Sequence, residues 1–288
     1  MTNQSTNPAP AKTFALGGDL TVNRMGYGAM RITGDGIWGP PQDHDESIRV
    51  LQRAVELGVN FIDTADSYGP NVSEELIAEA LHPYAQGLII GTKGGLLRTG
   101  PNQWPIDSSP EHLKEALEGS LQRLKLDQID LYQLHRVDPN VPFEKTLEFL
   151  QKAQEDGLIK HIGLSEVTVE QIQQAQQYVK VVSVQNMYSV DNRKWEAELE
   201  FCEQNGLAFI PWYPLAGGNE QALSKLAQIG DKYGASKQQV ALNWLLHRSP
   251  NILLIPGTSK VKHLEENVKA ADIQLSAEDM AELENFGS

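Results

Sequence analysis

The chain has 288 residues, 40% of them hydrophobic and 22% charged, and its 24 Lys and Arg against 38 Asp and Glu leave a formal net charge of −14. By mass scaling, a chain of this size buries roughly three quarters of its unfolded surface, enough for one large core. The acid excess argues against polyanionic partners such as nucleic acid or an anionic membrane surface, and no apolar run reaches the roughly eighteen residues of a membrane span.

Residues 1–12 are polar and contain prolines, without the apolar stretch of a secretory signal. They read as a flexible tail on a cytoplasmic protein, and residues 13–288 as one domain. A hairpin is expected near Phe14–Val22. After it, short apolar runs alternate with amphipathic segments of ten to fifteen residues, the pattern of βα units around a parallel sheet. The strands so predicted are Met25–Gly28, Asn60–Asp63, Leu88–Thr92, Ile129–Leu134, His161–Leu164, Val181–Val184, Ala208–Pro211 and Ile252–Ile255. Eight strands over this length suit a (β/α)8 TIM barrel with an N-terminal β-hairpin better than an open sheet. Ser109-Pro110 is an N-cap before a proline at the first helical position, and Thr168-x-x-Gln171 is a capping box. Gly58, Gly157 and Gly206 each close an apolar-periodic segment. The single cysteine, Cys202, is spaced from Trp195 and Leu199 for a buried helix face and is given no redox role.

In a barrel of this kind the active site lies at the C-terminal ends of the strands. The residues there are Asp63-Thr64-Ala65-Asp66-Ser67-Tyr68-Gly69, Lys93, His135, Ser165-Glu166, Gln185-Asn186, Trp212-Tyr213 and Pro256-Gly257-Thr258. Taken singly, each has an ordinary structural explanation, since a tyrosine after a strand usually packs and a histidine beside apolar residues is usually a satisfied core residue. Together they compose a site. A tyrosine acting as proton donor and acceptor near neutrality needs a neighbour that stabilises its phenolate. Lys93 is the candidate ammonium, Asp63 would hold it, and His135 could orient a substrate oxygen.

These residues carry a resemblance to a known family. The Asp63–Gly69 segment, Gly91-Thr92-Lys93, Leu134-His135, Gly163-Leu164-Ser165, Gln185-Asn186-x-Tyr188-Ser189 and Ile255-Pro256-Gly257-Thr258 resemble the aldo/keto reductases from about residue 13 to the C-terminus. The resemblance implies a (β/α)8 barrel that binds NADP(H) and passes hydride between the nicotinamide and a carbonyl carbon. By position it makes Tyr68 the general acid/base, Lys93 the residue that lowers its pKa, Asp63 the partner of Lys93, and His135 an aid in placing the carbonyl. It also implies cofactor contacts from Gly28, Met30, Asp63, Ser165, Glu166, Gln185, Trp212, Tyr213, Pro214, Leu215, Gly217, Gly257, Thr258, Ser259, His263, Glu266 and Asn267. Ser165 and Gln185 match positions that bond the nicotinamide carboxamide, Trp212 a ring that stacks on the nicotinamide, and Glu266 with Asn267 an adenine-binding pair. Glu166 stands where many members have Asn, Gly257 where many have Lys, and His263 where many have Arg. Lys260, Lys262 or His263 is then the cation left for a cofactor phosphate, which would also meet backbone N–H groups of a helix starting near Val261.

Two other motifs are set aside. Tyr233-x-x-x-Lys237 spells a short-chain dehydrogenase pair, but Gly234 reads as a helix stop and Ser236-x-x-Gln239 as the next capping box. Gly34-x-Gly36-x-x-Gly39 is followed by Pro40-Pro41 where a helix should open, and is a loop. Two long loops, Arg31–Asp45 with Trp38 and Leu96–Ser109 with Arg98 and Trp104, are placed to shape a pocket. Trp38 and Trp104 either wall that pocket or pin their loops. The last helix is expected near Ala277–Glu284, with no long tail to cover the mouth. Gly26–Met30 with Trp38-Gly39-Pro40-Pro41, and Ser249–Thr258, resemble the bacterial branch that includes pyridoxal reductase. The expected partner is therefore a small carbonyl substrate, pyridoxal first among candidates. A nucleotide-sensing subunit with little turnover, as in the family's channel β subunits, and a Schiff-base enzyme using Lys93 are the alternatives.

Overall fold

A computed structural model describes residues 9–214 and 219–286, and in it the apolar runs form a parallel sheet enclosed by the amphipathic helices. Strands β1 (Thr13–Leu16) and β2 (Leu20–Asn23) form the antiparallel hairpin. Strands β3 (Tyr27–Gly28), β4 (Phe61–Asp63), β5 (Ile89–Gly94), β6 (Ile129–Leu134), β7 (Ile159–Ser165), β8 (Val181–Gln185) and β9 (Ala208–Phe209) then pair in sequence order, all parallel. The run predicted as an eighth barrel strand, Ile252–Ile255, is shorter than expected. It makes single parallel bridges, Ile252 to Phe209 and Leu254 to Met25. Leu253 N–H donates to Phe209 O at 2.9 Å and Leu254 N–H to Arg24 O at 2.8 Å, so this segment closes the ring between β9 and β3. Pro211 and Pro256 explain the short pairing on this side, because neither has an N–H to extend a ladder.

Ten α-helices of the described residues run between or beyond the strands: α1 (His44–Glu56), α2 (Val72–Leu81), α3 (Pro110–Leu124), α4 (Phe143–Glu155), α5 (Val169–Ala175), α6 (Glu196–Asn205), α7 (Glu220–Tyr233), α8 (Lys237–Arg248), α9 (Val261–Lys269) and α10 (Ala277–Glu284). The local signals appear where the sequence places them. Ser109 Oγ accepts from His112 N–H ahead of Pro110, and Thr168 with Gln171 and Ser236 with Gln239 form reciprocal capping boxes. Tyr233 ends α7 and Lys237 opens α8, which separates the dehydrogenase-like pair. Cys202 is buried on α6 with Trp195 and Leu199.

Three buried clusters organise the packing. The two larger ones lie between sheet and helices. The third gathers Leu16 and Val22 of the hairpin with Phe61, Ile89, Leu131, Val182, Ala208, Ile210, Leu253 and Ile255, side chains from around the ring, and fills the barrel interior. Residues 1–8 of the predicted tail lie outside the described part. Ala11 and Lys12 are already tied down, their carbonyls accepting from Arg24 Nη1 and Arg24 N–H.

Candidate active site

Side chains along a strand alternate between faces, so each interior residue shares its face with a residue two places further on. Phe61 leads to Asp63, Ile89 through Gly91 to Lys93, Leu131 through Gln133 to His135, Ile210 to Trp212, and Ile255 to Gly257. The site residue comes one or two steps of the same face after the apolar filling. β5 runs one residue past Lys93, which therefore projects from within the sheet.

Lys93 is completely buried, and Asp63, Tyr68 and His135 are each at least nine-tenths buried. Its Nζ donates to Asp63 Oδ2 at 2.7 Å, to Thr64 O at 2.8 Å and to Tyr68 Oη at 3.5 Å. An ammonium has three protons, and here each has an acceptor. Tyr68 Oη therefore accepts a hydrogen bond from Lys93 and keeps its own O–H for another group. The other carboxylate oxygen, Asp63 Oδ1, accepts from Gln133 Nε2 at 3.0 Å and from Gln185 Nε2 at 2.9 Å. Burial opposes the charge on Lys93, but Asp63 and Tyr68 outweigh it and hold the ammonium above its ordinary range. For Tyr68 burial wins: its phenol lies above the usual value, with Lys93 pulling the other way. Lys93 therefore acts to lower the phenol's pKa, but the net direction is upward. The cause is exclusion of water from the phenol, which penalises a phenolate. Burial, with the positive charges of Lys93 and Arg136, keeps the His135 imidazole neutral well below its ordinary pKa. Its Nδ1 lies 3.5 Å from Ser67 Oγ, and its ring meets that of Tyr68 edge-on at 5.9 Å.

Arg136 escaped the sequence reading. Its Nη1 donates to His135 O at 2.6 Å and to Ser165 Oγ at 3.0 Å, and its guanidinium lies 5.8 Å from the Trp212 ring. It brings Ser165 and Trp212 into one group with His135. Ser165 Oγ in turn donates to Gln185 O at 2.8 Å. Glu166, in place of the family's common Asn, accepts from Trp212 Nε1 and Met187 N–H, both at 2.7 Å, so its carboxylate fixes the indole. Glu166 and Tyr213 both have left-handed backbones, with φ of 55° and 59°, a conformation costly for such side chains and concentrated at functional sites. Tyr213 is 52% exposed.

At the other edge of the mouth, Gly257 lies against the end of β3, where a Cβ would come within 2.9 Å of Gly28 O and 3.6 Å of Arg31 Cγ. Tyr27 Oη donates to Thr258 O at 2.6 Å and pins the adjoining turn. A cleft of about 530 Å³ opens beside it, lined by Met30, Arg31, Ser259, Lys260 and the loop from Thr33 to Asp43. Two N–H groups of the expected phosphate site are already engaged. Lys260 N–H donates to Thr258 Oγ1 at 3.2 Å, and Val261 N–H to Glu46 Oε1 of α1 at 3.1 Å. The helix N-terminus is thus partly capped by a carboxylate more than two hundred residues away in sequence, where an open set of donors was expected. His263, Glu266 and Asn267 lie along α9, apart from the buried four. Leu215 and Gly217 fall outside the described residues, and Pro214 is the last residue before that gap. Trp104 meets Tyr68 edge-on at 6.4 Å, whereas Trp38 is 37% exposed and lies against Arg98.

The family model described as "Aldo/keto reductase family" matches residues 24–287. An uncharacterised oxidoreductase of Schizosaccharomyces pombe is 57% identical, the match covering 94% of this chain and 88% of that protein. Pyridoxine 4-dehydrogenase of Escherichia coli is 43% identical over 96% of this chain and 98% of its own. Among solved structures, a thermostable aldo-keto reductase with the inhibitor epalrestat superimposes with a TM-score of 0.84 at 32% identity, covering 96% of this chain and 99% of that one. An aldo-keto reductase of Klebsiella pneumoniae in complex with NADPH gives 0.80 at 26% identity, covering 96% of each chain.

Proposed function

The chain belongs to the aldo/keto reductase family and is an NADP-dependent oxidoreductase, and from that premise we propose that it reduces ring-bearing aldehydes, pyridoxal foremost, with Tyr68 as the proton donor. The observation that carries the reading is the Lys93 ammonium held between Asp63 Oδ2 at 2.7 Å and Tyr68 Oη at 3.5 Å. The substrate reading is supported by the resemblance to the pyridoxine dehydrogenase, whose named reaction run backwards is reduction of the aldehyde. Among the two opposed readings of the tryptophans, the edge-on contact of Trp104 with Tyr68 favours a wall of the substrate pocket.

The residues at the mouth fit a nicotinamide dinucleotide. Ser165, Gln185 and Arg136 offer polar groups beside the half-buried Trp212 ring. Arg31, Ser259 and Lys260, on the cleft beside Gly257, offer donors and positive charge for phosphates. Bound there, NADPH supplies the hydride for the carbonyl carbon. The chain supplies the proton. Tyr68 O–H, free of Lys93 on its own proton, gives it to the carbonyl oxygen, and the adjacent ammonium stabilises the phenolate that remains. Neutral His135 has an N–H to hold that oxygen in place without competing as a charge.

The test is NADPH oxidation with pyridoxal and a panel of aromatic aldehydes, wild type against Tyr68→Phe. Loss of a general acid should lower kcat by about 10²–10⁴-fold, with NADPH binding retained in a tryptophan-fluorescence titration. A wild type no faster than Tyr68→Phe with every aldehyde would overturn the proposal.

A further inference from the structure

Arg98 lies beyond the third barrel strand, on the loop that carries Trp104, and every one of its donors is spent on main-chain carbonyls. Nε donates to Gln103 O at 2.9 Å; Nη1 to Ile37 O and Ser67 O, both at 2.7 Å; Nη2 to Gly36 O at 3.1 Å and Gly100 O at 3.3 Å. A guanidinium has five N–H groups, so none is left for an anionic ligand. The five carbonyls belong to three loops: the one after β3, the one after β4 that carries Tyr68, and its own. Its Cζ lies over the Trp104 ring, 3.7 Å from the centroid, and over that of Trp38 at 5.5 Å. Trp104 in turn stands edge-on to the Tyr68 ring.

We propose that Arg98 is a positioning residue for substrate choice: by tying the three loops together and backing Trp104, it fixes an indole wall beside Tyr68 that selects planar, ring-bearing aldehydes over small aliphatic ones. The proposal rests on the carbonyl-reductase reading and adds to it the residue that shapes the pocket. The reasoning is geometric. An aldehyde whose oxygen meets Tyr68 Oη must lay its substituent beside that ring, where Trp104 stands. The indole cannot shift while Arg98 covers one of its faces and is itself anchored at five points. A three-carbon aldehyde has no ring to place there and draws little from the wall.

The experiment compares benzaldehyde with propanal in wild type, Arg98→Ala, Arg98→Lys, Trp104→Ala and the double variant Arg98→Ala/Trp104→Ala, all with NADPH. Each single alanine variant should lower kcat/KM for benzaldehyde by roughly tenfold more than for propanal, mostly through KM. The double variant should be no worse than either single one, because both remove the same wall. Arg98→Lys should behave like Arg98→Ala, since an ammonium has neither the flat face nor the five-point fork. NADPH affinity within about twofold of wild type, read by fluorescence, shows that the variants are folded. Equal losses for the two aldehydes, additive effects, or rescue by lysine would each overturn the assignment and leave Arg98 a general loop fastener. A wild type that reduces pyridoxal but neither of these aldehydes overturns the ring-selecting assignment alone, whereas one that reduces none of the three overturns the reductase reading itself, and this proposal falls with it.

Discussion

Asp66 lies two residues before Tyr68 and is buried, with Oδ1 meeting no hydrogen-bond partner among the described residues. Burial first, then the charge of Glu74, push its carboxyl up to about 8, with Arg123 opposing. An unfolded chain holds the same carboxyl near 3.8. Between those values the folded chain carries a proton that the unfolded chain lacks. Its contribution to stability is therefore whole at acid pH and declines as pH rises towards 8, by about 1.4 kcal/mol per unit at most. Asp66→Asn should remove that decline: urea midpoints at pH 5 and pH 8 should lie closer together in the variant than in wild type, and an unchanged separation would count against a protonated Asp66. At this scale the sequence was most legible where a polar residue directly succeeds an apolar run, as with Asp63, Lys93 and His135. Gln133 shares the inward face of β6 with His135 but sits inside the apolar run, where one strand alone does not reveal which face is the barrel interior. Its spacing of two residues from His135 is the signal that could have found it. Arg136 was hidden for a related reason, since its role depends on Ser165 and Trp212, brought near only by the closed ring.

The elements divide according to how local their causes are. Capping boxes at Thr168 and Ser236 and the proline start of α3 involve residues three apart and were readable directly. The start of α9 at Val261 was readable too, but its cap was not, because that cap is Glu46 of α1, which accepts from Val261 N–H and from Arg49. Its carboxylate is held below the ordinary range by Arg49 first and then by that backbone N–H. A negative group at this helix end uses the favourable field and donor that a cofactor phosphate nearby would seek. Glu46→Gln should therefore tighten NADPH binding by roughly two- to fivefold, with a smaller change for NADH, which lacks the extra phosphate. Fluorescence titrations with both nucleotides decide the matter. Equal shifts for the two would place the extra phosphate away from α9.

For the whole molecule, the question is what closes the ring where pairing is weakest, between β9, the 252–254 segment and β3. The net charge of −14 bears on solubility and does not describe the mouth, where Arg31, Lys93, Arg136 and Lys260 stand among Asp35, Asp43, Asp63 and Glu166. Closure depends instead on Arg24, 1% exposed beneath that seam. Its side chain donates to Ile252 O at 2.8 Å, Leu246 O at 2.9 Å, Ser249 O at 2.5 Å and Ala11 O at 3.1 Å, and its own carbonyl accepts from Leu254 N–H. Burial lowers its pKa to about 10, which still leaves it charged at neutrality. Nothing local in the sequence marks this arginine, because the carbonyls of Leu246, Ser249 and Ile252 stand more than two hundred residues away. Eight runs could be counted along the chain, but the residue that joins the last to the first could not be seen in either. Arg24→Met keeps much of the apolar stem and strips these carbonyls of their donor. Buried acceptors left unmet cost about 1–3 kcal/mol each, so a total loss of roughly 3 kcal/mol or more is expected. For a chain of this size that corresponds to a fall in Tm of about 6–12 °C. Thermal unfolding followed by circular dichroism measures it, and a fall below about 2 °C would mean that the short bridges at Met25 and Phe209 hold the seam without Arg24.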